Sequence, residues 1–140
     1  MKKEITVFTP TYNRADMLVK CYRSLLKQNN KNFKWQIIDD GSNDNTGQVV
    51  ERWSEEKKID IQYIYKPNGG KVSAINKSLE ITKTPLWMCL DSDDYLFEDA
   101  IDIILTNYKS ILHSNKICGM FALRSSADMQ PMQGINIPTE

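Results

Sequence analysis

Apolar residues fall along this chain in two alternating rhythms. Residues 5–8, 33–38 and 86–90 are short apolar or β-rich runs, and Ile59, Ile61, Tyr63 and Tyr65 alternate with more polar neighbours, so each segment predicts a strand. Between them the apolar positions recur three and four residues apart. Met17, Leu18, Cys21, Tyr22, Leu25 and Leu26 share one face of a helix over 16–28, and Val49, Val50 and Trp53 mark a second over 46–57. Val72, Ile75 and Leu79 mark a third over 71–82, and Ile101, Ile104, Leu105, Tyr108, Ile111 and Leu112 a fourth over 97–112. A fifth strand is expected over 117–123, and residues 124–140, rich in Ser, Gln, Pro and Met without a period, read as a loop or tail.

Strand and helix alternating at this spacing is the sequence form of βαβ units, whose crossovers are right-handed. The expected fold is therefore α/β, a Rossmann-like parallel sheet flanked by helices, with residues 1–123 as one domain and 124–140 as its tail. In such sheets ligands bind beyond the carboxyl ends of the strands, where helix N-termini converge. Chemistry should be sought in the segments that follow each strand.

Composition narrows the function without naming it. With 140 residues, 41% hydrophobic and 26% charged, the chain has the make-up of one folded domain rather than of a disordered segment. Eighteen Lys+Arg balance 18 Asp+Glu, so no excess of positive charge exists to bind a nucleic-acid backbone. The longest apolar run, about five or six residues, is far short of the ~20 that span a bilayer, and residues 1–6 carry no signal-peptide pattern. Cys21, Cys89 and Cys118 lack metal-ligand spacing and read as buried small hydrophobes in a reducing cytoplasm, and the single His113 has no partner in view.

The first four strands each end in an unusual segment: Thr9-Pro10-Thr11-Tyr12-Asn13-Arg14, Asp39-Asp40-Gly41-Ser42, Asn68-Gly69-Gly70-Lys71, and Asp91-Ser92-Asp93-Asp94. All four belong on one rim of a parallel sheet. At least five carboxylates would meet there, and crowded like charges raise one another's pKa and repel unless a cation intervenes. Asp91, Asp93 and Asp94 after a buried strand offer hard oxygen ligands suited to Mg²⁺ or Mn²⁺, with open positions for the oxygens of a diphosphate. A carboxylate at the end of strand two could accept a hydrogen bond from the imide N–H of uracil or thymine, although a turn and helix cap explain Asp39-Asp40-Gly41-Ser42 equally well. The glycine turn is not a Walker A loop, since Tyr65 and Val72 occupy two of its required positions. It supplies two glycines that permit close backbone approach, Lys71 at a helix N-terminus, and Asn76 further along.

Taken in order, with Ala74-Ile75-Asn76 after the glycine turn, these segments resemble the successive motifs of the family 2 glycosyltransferases of GT-A fold, over residues 3 to about 123. The resemblance implies that Pro10, Thr11 and Tyr12 line a nucleoside pocket, that Asp40 with Asp39 recognises the base, and that Lys71 approaches the diphosphate or sugar. Arg14 and Asn76 join this donor-binding set. Asp91 would hold ribose or a metal-bound water, Asp93 the divalent metal (Mn²⁺ or Mg²⁺), and Asp94 would be a further ligand. The implied reaction is transfer of a sugar, with inversion, from a nucleotide-diphosphate donor, UDP first, to the hydroxyl of a glycan or lipid-linked acceptor in polysaccharide synthesis. The implied location is the cytoplasm, including the inner face of the membrane.

Two departures qualify the resemblance. Ala74-Ile75-Asn76 stands where the family often has Ala-Arg-Asn, so a phosphate contact falls to Lys71 instead. The family's general base lies beyond its Asp-X-Asp, in segments that a chain ending at Glu140 is expected to lack. Asp99, Asp102 and Asp128 are bases only by elimination, so no catalytic residue is assigned. The alternative is a nucleotide-sugar-binding fragment without turnover. Haloacid-dehalogenase phosphatases and receiver domains also carry acidic turns, but after strand one, where this chain has Thr9-Pro10-Thr11.

Overall fold

A computed structural model describes residues 2–114, 116 and 119. The chain divides into a compact unit of residues 1–109, which holds the sheet and the site, and a second unit of residues 110–140. Of the expected fifth strand over 117–123 only Gly119 is described, and the tail lies outside the described residues. The elements run β1 (Ile5–Thr11), α1 (Ala15–Leu26), β2 (Phe33–Asp39), α2 (Thr46–Glu55), β3 (Asp60–Tyr65), α3 (Gly70–Ile81), β4 (Leu86–Cys89) and α4 (Ala100–Ile111).

The four strands form one parallel sheet in the order β3-β2-β1-β4. The chain steps outward from β1 to β3, then returns to pair β4 on the other side of β1. That reversal opens a crevice between the carboxyl ends of β1 and β4, the place where such sheets bind ligands. β1 runs three residues longer than its apolar run, through Pro10. Proline is tolerated because the ladder with β4 ends at Phe8 and Leu90, and Pro10 lies two residues beyond, on the side where its missing N–H has no strand to meet.

Alternation along β1 and β2 divides the core. Ile5, Val7, Trp35 and Ile37 pack with Leu18, Cys21, Leu25, Val50, Ile101 and Leu105 from α1, α2 and α4. Tyr22, Trp35 and Trp53 stack in this layer with ring centroids 4.2–6.0 Å apart. Phe8 and Ile38 face the other way onto Ala74 of α3, with Trp87 stacked on Phe8.

Four sequence expectations are corrected here. α3 does not bury Val72 and Leu79, which are 71% and 51% exposed; its inner face is Ala74 and Ser78. Small residues there let the helix lie close to the sheet, and Ser78 bonds inward, donating to Gln36 Oε1 and accepting from Trp87 Nε1 at 2.8 Å. β4 is half-buried rather than wholly buried, since among the described residues it pairs with β1 alone, and Cys89 is exposed while Cys21 is buried. Met17 and Leu112 are exposed, not core. Finally, α4 starts at Ala100 rather than 97. Gln28 Nε2 donates to the carbonyl of Phe97 at 2.7 Å, Asn29 N donates to that of Glu98 at 2.8 Å, and Gln28 Oε1 accepts from Ile101 N at 3.1 Å. Residues just beyond α1 thus bond the backbone at the entry to α4.

Candidate functional site

The loops at the carboxyl rim are tied to one another before any ligand arrives. Asn13, at φ 51°, turns the chain out of β1, and its Oδ1 accepts from Asn43 N at 2.7 Å while its own N–H donates to Ser42 Oγ at 2.8 Å. Gly41 has φ +92°, and a Cβ there would stand 2.9 Å from Asn68 N, so glycine is required by both backbone angle and close approach. Gly70, at φ +83°, makes the corresponding turn into α3.

Carboxylates of the second loop occupy helix N-termini. Asp44 Oδ1 accepts from Thr46 N at 3.0 Å and from its hydroxyl at 2.6 Å, and Oδ2 accepts from Ala15 N at 3.3 Å, so one side chain serves the first turns of α2 and α1. Asp40 is buried. Its Oδ1 accepts from Lys66 Nζ at 2.5 Å and Gly69 N at 3.0 Å, and its Oδ2 from Gly70 N at 2.7 Å. Burial pushes the Asp40 carboxyl up, but the Lys66 hydrogen bond, the two amides and the Lys66 charge outweigh it and hold the group below its ordinary value. Asp44 is likewise held low, because its bonds to Thr46 and Ala15 outweigh desolvation. The rise expected from crowding is thus reversed at these two positions: the chain supplies its own donors.

Asp39 is committed elsewhere. It is buried, with Oδ2 accepting from Tyr63 Oη at 2.6 Å and Oδ1 from Ser42 N at 2.8 Å. Burial, followed by the bond to Asp39, raises the Tyr63 phenol well above its usual range.

After β4 the chain turns sharply, Asp94 N donating to the carbonyl of Asp91 at 2.9 Å. This brings one carboxylate oxygen from each of Asp91, Asp93 and Asp94 within 4.8 Å of one another. Lys71 Nζ donates to Asp91 Oδ1 at 2.7 Å, and Arg14 Nη1 lies 3.7 Å from Asp93 Oδ2 and 3.4 Å from Ser92 Oγ. The bond to Asp91 raises the Lys71 ammonium above its ordinary value, outweighing desolvation. Three converging hard oxygens, partly exposed, fit a divalent ion of the Mg²⁺ or Mn²⁺ class.

Between these loops lies an open cleft of about 380 Å³, large enough for a nucleotide-sized ligand. Pro10, Thr11, Tyr12 and Arg14 form its β1 side, Asp40, Lys71 and Ala74 a second, and Asp91, Ser92 and Asp93 a third. Thr11 is 3% exposed, and its Oγ1 has no hydrogen-bond partner.

Most of the donor-binding residues expected from the sequence therefore meet in one place. Asp39 and Asn76 do not line the cleft: Asp39 because its carboxylate is bonded within the turn, Asn76 because it lies two residues, roughly 200° around α3, from the cleft-facing Ala74. Asp94 is in the acidic cluster but not in the cleft lining. Of the bases considered, Asp102 Oδ1 accepts from Asn30 Nδ2 at 2.9 Å, Asp99 is exposed just before α4, and Asp128 lies outside the described residues. Lys66 and Asp44 were not singled out in the sequence, and only loop proximity reveals them.

The Glycosyl transferase family 2 model matches residues 6–125. A chondroitin synthase of Pasteurella multocida (strain Pm70) is 34% identical over 105 residues, covering 74% of this chain and 11% of that protein. An uncharacterized glycosyltransferase of Mycoplasma pneumoniae is 37% identical over 107 residues, covering 74% of this chain and 36% of that protein. This chain therefore spans only about a tenth to a third of those relatives. Among solved structures, S. aureus TarS in complex with UDP superposes with a TM-score of 0.70 at 26% identity, over 79% of this chain and 32% of that one. The mannosyltransferase PcManGT from Pyrobaculum calidifontis, in complex with GDP-Man and Mn²⁺, shares the fold with a TM-score of 0.68 at 21% identity, over 84% of this chain and 34% of that one. The parallel sheet with its crevice at β1 and β4 is of the GT-A type, and the chain belongs to glycosyl transferase family 2.

Proposed function

We propose that this chain is the nucleotide-sugar-binding part of a glycosyltransferase that passes a sugar from a UDP-type donor to an acceptor hydroxyl, with inversion, in glycan or polysaccharide synthesis at the cytoplasmic side. The observation that carries the reading is the meeting of Asp91 and Asp93 with Lys71 and Arg14 on one cleft, with Asp94 beside them in the same acidic cluster. TarS, 28% identical in its complex with UDP-GlcNAc, supports a uridine donor.

In this reading Pro10, Thr11 and Tyr12 seat the nucleoside, and Asp40, kept ionised by Lys66, presents an acceptor to a base N–H. Asp39 acts one step back by holding the turn that carries Asp40. Asp93, with Asp91 and Asp94, would hold the divalent ion, which when bound neutralises charge on the departing diphosphate. Lys71 and Arg14 bring positive charge beside the same group.

Calorimetric titration of the chain with UDP, in Mn²⁺ and then in EDTA, tests the proposal, with Asp93→Ala as control. Metal-dependent binding that Asp93→Ala abolishes is the expected result. Absence of binding by UDP, GDP and dTDP alike would sink it.

A further inference from the structure

Asp91 and Asp93, two of the three aspartates after β4, already lie against cationic side chains of the chain itself. Lys71, the second residue of α3, bonds Asp91 at 2.7 Å, and Arg14, at the N-terminal cap position of α1, stands 3.7 Å from Asp93. The Lys71 and Arg14 side chains are 56% and 47% exposed, and their acidic partners 33% and 55%. Pairs this exposed are weak and open readily. An ammonium or guanidinium and a divalent cation repel one another across a shared carboxylate, so an ion entering this turn works against both pairs. A diphosphate arriving in the same cleft offers oxygens that a displaced Lys and Arg are suited to take.

Resting on the reading of this cleft as a nucleoside-diphosphate site, we infer that Lys71 and Arg14 are exchangeable counter-ions. In the free chain they neutralise Asp91 and Asp93, and they pass to diphosphate oxygens when a divalent ion takes those carboxylates. Metal alone then binds weakly, because it must strip two cations that have nowhere else to go. Metal and nucleotide bind with positive coupling, each raising the other's affinity by the same factor. A Lys71 that did no more than touch the diphosphate would behave differently: its removal would weaken nucleotide and leave metal untouched. Exchange predicts effects of opposite sign from one substitution.

The test measures Mn²⁺ affinity from the paramagnetic resonance signal of the free ion, on the complete 140-residue chain with and without saturating UDP, for wild type, Lys71→Met and Arg14→Gln. Circular dichroism melts check that each variant folds, and the two variants probe the two ion pairs separately. In wild type UDP should raise Mn²⁺ affinity at least tenfold. In either variant Mn²⁺ affinity without nucleotide should rise about threefold, the size expected for loss of an exposed pair, while the coupling factor falls. Equal Mn²⁺ affinity in wild type and both variants would overturn the exchange, as would Mn²⁺ affinity in wild type that bound UDP leaves unchanged. Failure of UDP to bind under any condition would instead remove the nucleotide-site reading. The nucleotide-free Mn²⁺ comparison would still decide whether Lys71 and Arg14 compete with metal.

Discussion

The turns after β2 and β4 both crowd aspartates at the carboxyl end of the sheet, yet Asp40 and Asp44 are bound by amides at the N-termini of three helices, whereas Asp91 and Asp93 are held by two half-exposed cationic side chains. An amide cannot leave its carboxylate without unwinding the first turn of a helix, while a lysine on a four-carbon stem can swing away. Identical chemistry on one rim therefore yields a fixed part and an exchangeable part. An acidic cluster is legible as a ligand site only when the donors already satisfying it are known.

Substitutions in the two turns should separate ligand binding from stability. The largest effect is expected for Asp93→Ala: metal-dependent UDP binding falls more than about 100-fold, since even outer partners of a metal ligand are worth 10–100-fold, while the urea midpoint stays put. Lys66→Met adds a loss of stability to a weaker hold on the base. It removes the charged donor from a carboxylate that is only 7% exposed, and should lower unfolding free energy by about 2–3 kcal/mol in urea titrations. Asp44→Ala strips donors' partners from two helix ends and should lower it by about 1–2 kcal/mol, with Mn²⁺ binding unaffected.

The smallest effect is a pH dependence. The Asp40 and Asp44 carboxyls lie below the unfolded value of 3.8, so the folded chain binds fewer protons there than the unfolded one. Their contribution is complete above that value and is lost as pH falls through the folded pKa. Urea midpoints followed downward from neutral pH should hold until near 4 and then drop, and Asp44→Asn should make the drop shallower. An unchanged slope in that variant would show that Asp44 does not set the acid limb.

The periodicity of the chain was enough to place four helices and four strands, because each signal is local: Leu18, Cys21, Tyr22 and Leu25 lie within three turns of one helix. It could not tell which face of α3 meets the sheet. Ile75 packs on the sheet as its apolar pattern predicts, but Val72 and Leu79 face out, and Ser78 faces in through its bonds to Gln36 and Trp87, partners 42 and nine residues distant. The site divides in the same way. Asp91 to Asp94 stand out as three acids in four residues, whereas Lys66 and Asp44 are ordinary polar residues until β3 and α1 bring them to Asp40, 26 residues away, and Ala15, 29 residues away. Asp39 joins Asp40 in the expected set because adjacent residues of an extended segment are told apart only by the side to which each points. Here that side holds Tyr63.

The ties among Asn13, Ser42, Asn43 and Asp44, with Gly41 pressed on Asn68, join the first three rim loops into one piece. A segment transplanted from a homologue into any one of them would meet unmatched neighbours in the other two. Altering ligand preference in the cleft by loop exchange will therefore call for residues 12–14, 40–44 and 68–70 to be moved as a set, and single-loop chimeras will forfeit the scaffold before they reveal anything about selectivity.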